Sequence, residues 1–138
     1  MIVIPDASVI LKWVLPGNIS PFQDQALSIR DAALSEKISL IVPPLWRYEV
    51  GNTLTRLVPD NALQLITLCE SVGLTEMKAD DKWLEIAVDL VSRSKVSFYD
   101  AAYHALAVTQ SAVFVTADEK YVRKSKYSSH VCLLKDWP

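Results

Sequence analysis

Hydrophobic positions along the chain fall into two kinds of run. Short runs rich in β-branched residues occupy Ile2–Ile4, Ser39–Val42, Leu74–Glu76, Ala112–Thr116 and Val131–Leu134, and each predicts a strand. Between them the apolar spacing turns helical, which predicts helices over Phe22–Ser35, Trp46–Leu57, Asp60–Val72, Asp81–Arg93, Ser97–Thr109 and Glu119–Lys126. Helices alternating with short apolar strands are the pattern of a mainly parallel sheet covered on both faces. Several boundaries have local causes. Pro43-Pro44 blocks continuation of the second strand, Pro59-Asp60-Asn61 restarts a helix, and Gly73 ends one. No repeat, charge block or Ser/Gly linker interrupts the pattern, so residues 1–138 are expected to form one domain. The helices on either side of Leu74–Asp80 read as a helical hairpin or as a partner-binding rim.

Composition agrees with a packed core. Of 138 residues, 51% are hydrophobic and 22% charged, which excludes a disordered tail that buries too little apolar surface to offset chain entropy. The apolar start Met1-Ile2-Val3-Ile4 is too short for a signal peptide or a membrane span, and a cytoplasmic location is the expectation. Cys69 and Cys132 lie far apart and belong to no Cys-x-x-Cys pair, so both read as reduced core residues. A net charge of −2 argues against nucleic-acid binding through a global positive field and leaves room only for a local basic patch.

Open parallel sheets gather ligand groups beyond the carboxyl ends of their strands, so polar residues just after a strand come first. Asp6 follows the first strand, with Ser8 two positions on; a helix N-cap is the competing reading. Asp118 repeats the arrangement in Thr116-Ala117-Asp118, again with a cap as competitor. Glu49 falls at the edge of the apolar stripe formed by Trp46, Val50, Leu54 and Leu57, where an inward carboxylate needs a partner or swings to solvent. Asp100 lies in the polar-poor run Phe98-Tyr99-Asp100-Ala101-Ala102-Tyr103-His104-Ala105, where Ser97 and Asp100 also have the spacing of a capping box.

Each motif alone is weak, and their joint placement carries the argument. A doubly wound sheet can bring all four acids to one edge, where they repel unless protonated or neutralised by a cation. Oxygen ligands without a His or Cys cluster favour Mg²⁺ or Mn²⁺ over zinc, and His104 and His130 read as a helix side chain and a strand-flanking surface residue. Acid clusters holding Mg²⁺ serve phosphoryl chemistry.

Four stretches together bring a family into view: Val3-Ile4-Pro5-Asp6-Ala7-Ser8 with Lys12-Trp13, Pro44-Leu45-Trp46-Arg47-Tyr48-Glu49-Val50-Gly51-Asn52, Tyr99-Asp100-Ala101-Ala102-Tyr103-His104, and Val115-Thr116-Ala117-Asp118-Glu119-Lys120-Tyr121. In order and spacing they resemble a PIN-domain ribonuclease of the VapC toxin kind, over nearly the whole chain. That resemblance implies a three-layer α/β/α fold with a central, mainly parallel five-stranded sheet of order 3-2-1-4-5. It further implies a metal-dependent endoribonuclease acting on single-stranded RNA, a homodimer, and inhibition by a VapB-type antitoxin. By position, Asp6, Glu49, Asp100 and Asp118 match the family's metal-binding acids, and Ser8 and Thr116 its supporting hydroxyls. Tyr121 departs from the Phe or Leu more usual there.

On this reading one or two Mg²⁺ ions activate a water for in-line attack on the phosphate, leaving a 3′-hydroxyl and a 5′-phosphate. Lys120, Arg123 and Lys124 share a face of the last helix, with Lys126 nearby and Lys12 after the first acid, and are candidates to guide phosphates; a solvated helix face is the alternative. Asn52 is a further candidate for substrate contact, or an exposed helix residue. Two other classes compete. A haloacid-dehalogenase-type phosphatase also places an Asp after its first strand, but needs a second Asp where Ser8 stands; a PIN-like binding module would keep the fold without cleaving. Setting four of 16 acids aside for metal leaves 12 against 14 bases, which removes the charge objection to an RNA substrate.

Overall fold

The computed structural model describes residues 1–17, 20–125 and 128–138. Its elements run β1 (Ile2–Pro5), α1 (Ala7–Leu11), α2 (Gln23–Leu34), β2 (Ser39–Val42), α3 (Leu45–Leu57), α4 (Ala62–Glu70), β3 (Leu74–Glu76), α5 (Asp81–Ser94), α6 (Phe98–Thr109), β4 (Val113–Thr116), α7 (Glu119–Lys124) and β5 (Val131–Leu133), with 3₁₀ turns at Ser128–His130 and Leu134–Asp136. The strands form one sheet in the order β3-β2-β1-β4-β5. Every pairing is parallel, with Val3 opposite Leu40 on one side and Val113 on the other.

Successive strand residues point to opposite faces, so burial of neighbours shows both faces covered. Val3 and Ile4 are fully buried, Phe114 and Val115 in effect so, and Leu40, Ile41 and Val42 are all buried. Helices α5 and α6 pack on one another, and α6 also contacts β1 and β4. The small residues Ala101, Ala102, Ala105 and Ala107, all buried, permit this close approach.

Besides α1, a short helix that the apolar spacing did not delimit, the differences from the sequence expectation lie at ends and in one connection. Phe22 takes a left-handed conformation at φ 61°, so α2 starts one residue late. The last helix is described to Lys124, and Lys126, named above as a basic candidate, lies outside the described residues. Leu74–Glu76 pairs with β2 as an edge strand, α4 packs on α3, and α5 packs on α6; the two helices do not form a simple hairpin. Both cysteines are free, Cys69 buried and Cys132 partly so.

Strands β1 and β4 are neighbours, yet the chain leaves β1 for β2 on the other side. This reversal opens a crevice at the carboxyl ends of β1 and β4, the general location for ligands in open α/β sheets.

Candidate active site

Asp6 is the first residue beyond β1, and its N–H still donates to Val115 O at 2.9 Å, so the sheet itself fixes its backbone. It stands at the N-cap position of α1 but makes no side-chain capping bond. Instead its Oδ2 accepts from Ser8 Oγ at 2.7 Å and from Thr116 Oγ1 at 2.8 Å. Those hydroxyls are themselves fixed, because Ser8 Oγ accepts from Ala117 N–H at 3.2 Å and Thr116 Oγ1 from Asp118 N–H at 3.1 Å. The ends of β1 and β4 are thus laced together around one carboxylate.

Glu49 reaches the same edge from α3, half-buried, with Oε1 accepting from Tyr103 Oη at 2.7 Å. Asp100 enters from the first turn of α6, where Ser97 caps the helix by accepting from Asp100 N–H at 3.1 Å. Asp118 does act as a cap. Its Oδ1 accepts from Tyr121 N–H at 3.1 Å, and the residue is exposed at the start of α7.

The electrostatics tie these acids together. Burial lifts the Asp6 carboxyl above its ordinary range; the Ser8 and Thr116 hydroxyls counter part of that rise, and the charge of Asp100 adds to it. Glu49 is raised by burial, eased by the Tyr103 hydroxyl and raised again by Asp6 and Asp100. For Asp100 burial again dominates, Ser97 opposes it, and Asp118 contributes the repulsion. Among the described residues, none of the four acids is in an ion pair.

Beside Asp100 and Asp118 lies a cleft of about 190 Å³, also lined by Lys95, Ser97, Lys120 and Lys124. Two of the three basic residues expected on α7 therefore border the acids. Arg123 does not line the cleft and is paired with Glu119 at 3.9 Å. Lys12 is buried, its Nζ donating to Ser20 Oγ at 3.0 Å and its pKa lowered by desolvation, and Asn52 is exposed on α3. His104 is fully buried with Nδ1 2.7 Å from Tyr121 Oη, which gives the unusual tyrosine at position 121 a partner in the core. His130 places Nδ1 3.1 Å from Ala112 O.

Two participants escaped sequence reasoning. Tyr103 lies three residues after Asp100 and so on the same helical face, a spacing that pointed to it once Glu49 was seen to need a donor. Lys95 terminates α5 in a left-handed conformation, φ 56°, where Gly is usual, and no residue-type signal marked it.

Whether these residues suit a divalent cation follows from the donor set. It is all oxygen, it accumulates unneutralised charge, and partial burial raises the cost of that charge. Among the described residues, no three His, Cys, Asp or Glu side chains are drawn together tightly enough to clasp an ion by themselves. An acidic, all-oxygen donor set of this kind suits a hard divalent cation.

Fold and site together are those of an open, parallel α/β sheet with carboxylates at its carboxyl edge. The family model described as PIN domain matches residues 3–127, and the chain belongs to that family, whose members are nucleases. Sequence comparison with curated proteins returns no match. Among solved structures, the fold is similar to PAE2754 from Pyrobaculum aerophilum, at 20% identity and a TM-score of 0.63 over 96% of this chain and 89% of that one. It is also similar to VapBC2 from Rickettsia felis, bound to a DNA fragment from their promoter, at 12% identity and a TM-score of 0.71 over 96% and 97%. FitAcB from Neisseria gonorrhoeae gives 17% identity and a TM-score of 0.61 over 96% of each chain.

Proposed function

We propose that this chain is a metal-dependent endoribonuclease that cuts single-stranded RNA, and the toxin of a toxin–antitoxin pair. The observation that carries the reading is the set Asp6, Glu49 and Asp100, each raised by burial and by the charge of another of the four acids, without an ion-pair partner among the described residues. Such a set is relieved by a divalent cation, and Mg²⁺ or Mn²⁺ bound there supplies an activated water and charge neutralisation at a phosphate. Asp6, Glu49, Asp100 and Asp118 are the residues to hold it.

The remaining side chains position and screen. Ser8 and Thr116 hold the Asp6 carboxylate in one rotamer, and Tyr103 does the same for Glu49. Lys95, Lys120 and Lys124 border the cleft where a strand's phosphates pass beside the acids. A phosphatase of haloacid-dehalogenase type gains nothing here, since the position of its second acid holds Ser8, whose hydroxyl donates to Asp6.

A protein partner is part of the proposal. The VapBC2 neighbour was solved on promoter DNA, and a VapB-type antitoxin suits this chain. A homodimer suits it too, because Leu57, Leu63 and Leu68 on α3 and α4, and Leu84 and Val88 one turn apart on α5, are exposed. The decisive experiment incubates partner-free protein with a panel of RNAs in Mg²⁺ or Mn²⁺ against chelator. Metal-dependent products are expected, and Asp6→Asn should lose them while keeping its circular dichroism spectrum; a fully active variant refutes the assignment.

A further inference from the structure

Asp100 divides two different surfaces. On one side is the lysine cleft; on the other is a pocket of about 230 Å³ lined by Pro43, Leu45, Met77, Trp83, Phe98 and Tyr99 among others. Its walls come from the carboxyl end of β2, the residue following β3, and the facing ends of α3, α5 and α6, so it opens on the same sheet edge as the acids. Tyr99 directly precedes Asp100 and remains 63% exposed; Phe98 is 41% exposed. The far wall is rigid, because Trp83 meets Phe98 edge-on at 5.7 Å and donates its indole N–H to Ala102 O at 2.9 Å. Met77 is held to β2 by its N–H on Val42 O at 2.9 Å.

A preformed aromatic and apolar pocket, smaller than those that enclose drug-sized ligands, accepts one planar ring system. Stacking against such side chains is how proteins hold unpaired bases without reading their sequence. The cationic cleft across Asp100 is complementary to phosphate, and an unpaired nucleotide presents a flat base and phosphates a few bonds apart. We propose that this pocket is a nucleobase subsite: a base next to the scissile phosphate stacks on Tyr99 between the carboxyl ends of β2 and β3, while the adjoining phosphates lie along Lys95, Lys120 and Lys124. The inference rests on the ribonuclease reading and adds to it where the strand is gripped.

The test uses a short single-stranded RNA that the protein cleaves, with one abasic position moved along it, together with Tyr99→Ala, Tyr99→Phe and the pocket-filling Ala79→Trp, Ala79 being an exposed lining residue. A base in the pocket predicts that Tyr99→Ala and Ala79→Trp each raise KM roughly 10-fold with little change in kcat. Tyr99→Phe, which keeps the ring, rescues most of the loss. One abasic position beside the cut reproduces the loss in the native chain and adds nothing in Tyr99→Ala. An unchanged KM in Tyr99→Ala and Ala79→Trp while cleavage continues overturns the subsite and leaves the pocket to a protein partner's side chain. Failure of the native chain to cut any RNA strikes the nuclease reading separately. The subsite is then decided by a 2-aminopurine RNA, whose emission the native chain quenches and Tyr99→Ala does not if a base enters; equal emission overturns it.

Discussion

Thr116 shows how much one hydroxyl can hold at this sheet edge. It is 1% exposed, donates to Asp6 Oδ2 and accepts from the Asp118 N–H, so it orients one acid and the backbone of another. Thr116→Val keeps the shape and removes both bonds. About 1–3 kcal/mol of stability should be lost, chiefly with the bond to the Asp6 carboxylate, and metal-dependent cleavage should fall roughly 10- to 100-fold, as for other groups that orient metal ligands. Urea unfolding and initial rates measure the two separately. The acids themselves give a pH prediction for the metal-free chain. The Asp6, Glu49 and Asp100 carboxyls are raised in the folded state, so folding takes up protons between the ordinary and the raised values, and stability declines as pH climbs through that interval. Asp100→Asn should therefore melt above the native chain at neutral pH in chelator. The advantage should shrink as pH falls toward the ordinary Asp value of 3.8, and Mn²⁺ should stabilise the native chain more than the variant. Equal melting at all pH values contradicts the repulsion. At this scale the sequence left Asp6 and Asp118 each open between cap and site, with good reason. The backbone at both is extended, as an N-cap requires, and the hydrogen-bond partners separate Asp118, which caps through Tyr121 N–H, from Asp6, whose carboxylate accepts from Ser8 and Thr116.

At the scale of elements, periodicity was a reliable guide because burial here is two-sided. The five β-branched runs match the five strands within a residue or two, and the polar-poor Ser97–Thr109 run proved to be a helix buried around most of its girth. What the pattern could not contain was the crossing of distant elements. Tyr103 meets Glu49 across 54 positions of sequence, and the aromatic pocket joins the end of β2 to α5 and α6. The α5–α6 connection is the clearest case. Lys95 closes α5 in the left-handed region, where a side chain costs about 1–2 kcal/mol relative to right-handed backbone. Glycine at that position relieves the strain but adds unfolded-state freedom, so Lys95→Gly should stabilise the fold by up to about 1 kcal/mol. The same change withdraws an ammonium from the cleft, and RNA should bind more weakly. A rise in melting temperature together with a loss of affinity distinguishes a lysine kept for its charge from one kept for the turn; a fall in both assigns it to the turn.

For the whole molecule, net charge misleads, because a chain at −2 can still present a positive strip. The strip is local: Lys95, Lys120 and Lys124 face one cleft, whereas Arg123 pairs with Glu119, which is also drawn to Lys135 at 3.1 Å. Helical spacing grouped Lys120, Arg123 and Lys124 on one face; tertiary structure split the group, because the cleft formed with the α5–α6 connection takes Lys120 and Lys124 and leaves out Arg123, which lies near Glu119 one turn earlier in its own helix. The split is measurable. Each phosphate contact with a single strand contributes about −0.7 to the slope of log K against log salt. Replacing Lys120 and Lys124 together by Ala should therefore make the slope shallower by roughly 1.4 and weaken binding at low salt, with circular dichroism unchanged since both are exposed. Arg123→Ala should alter the slope far less, because its charge is already partly matched and lies outside the cleft. Should Arg123→Ala match the double lysine variant, the strand runs over the outer face of α7, and the path between the acids and the aromatic pocket is wrong.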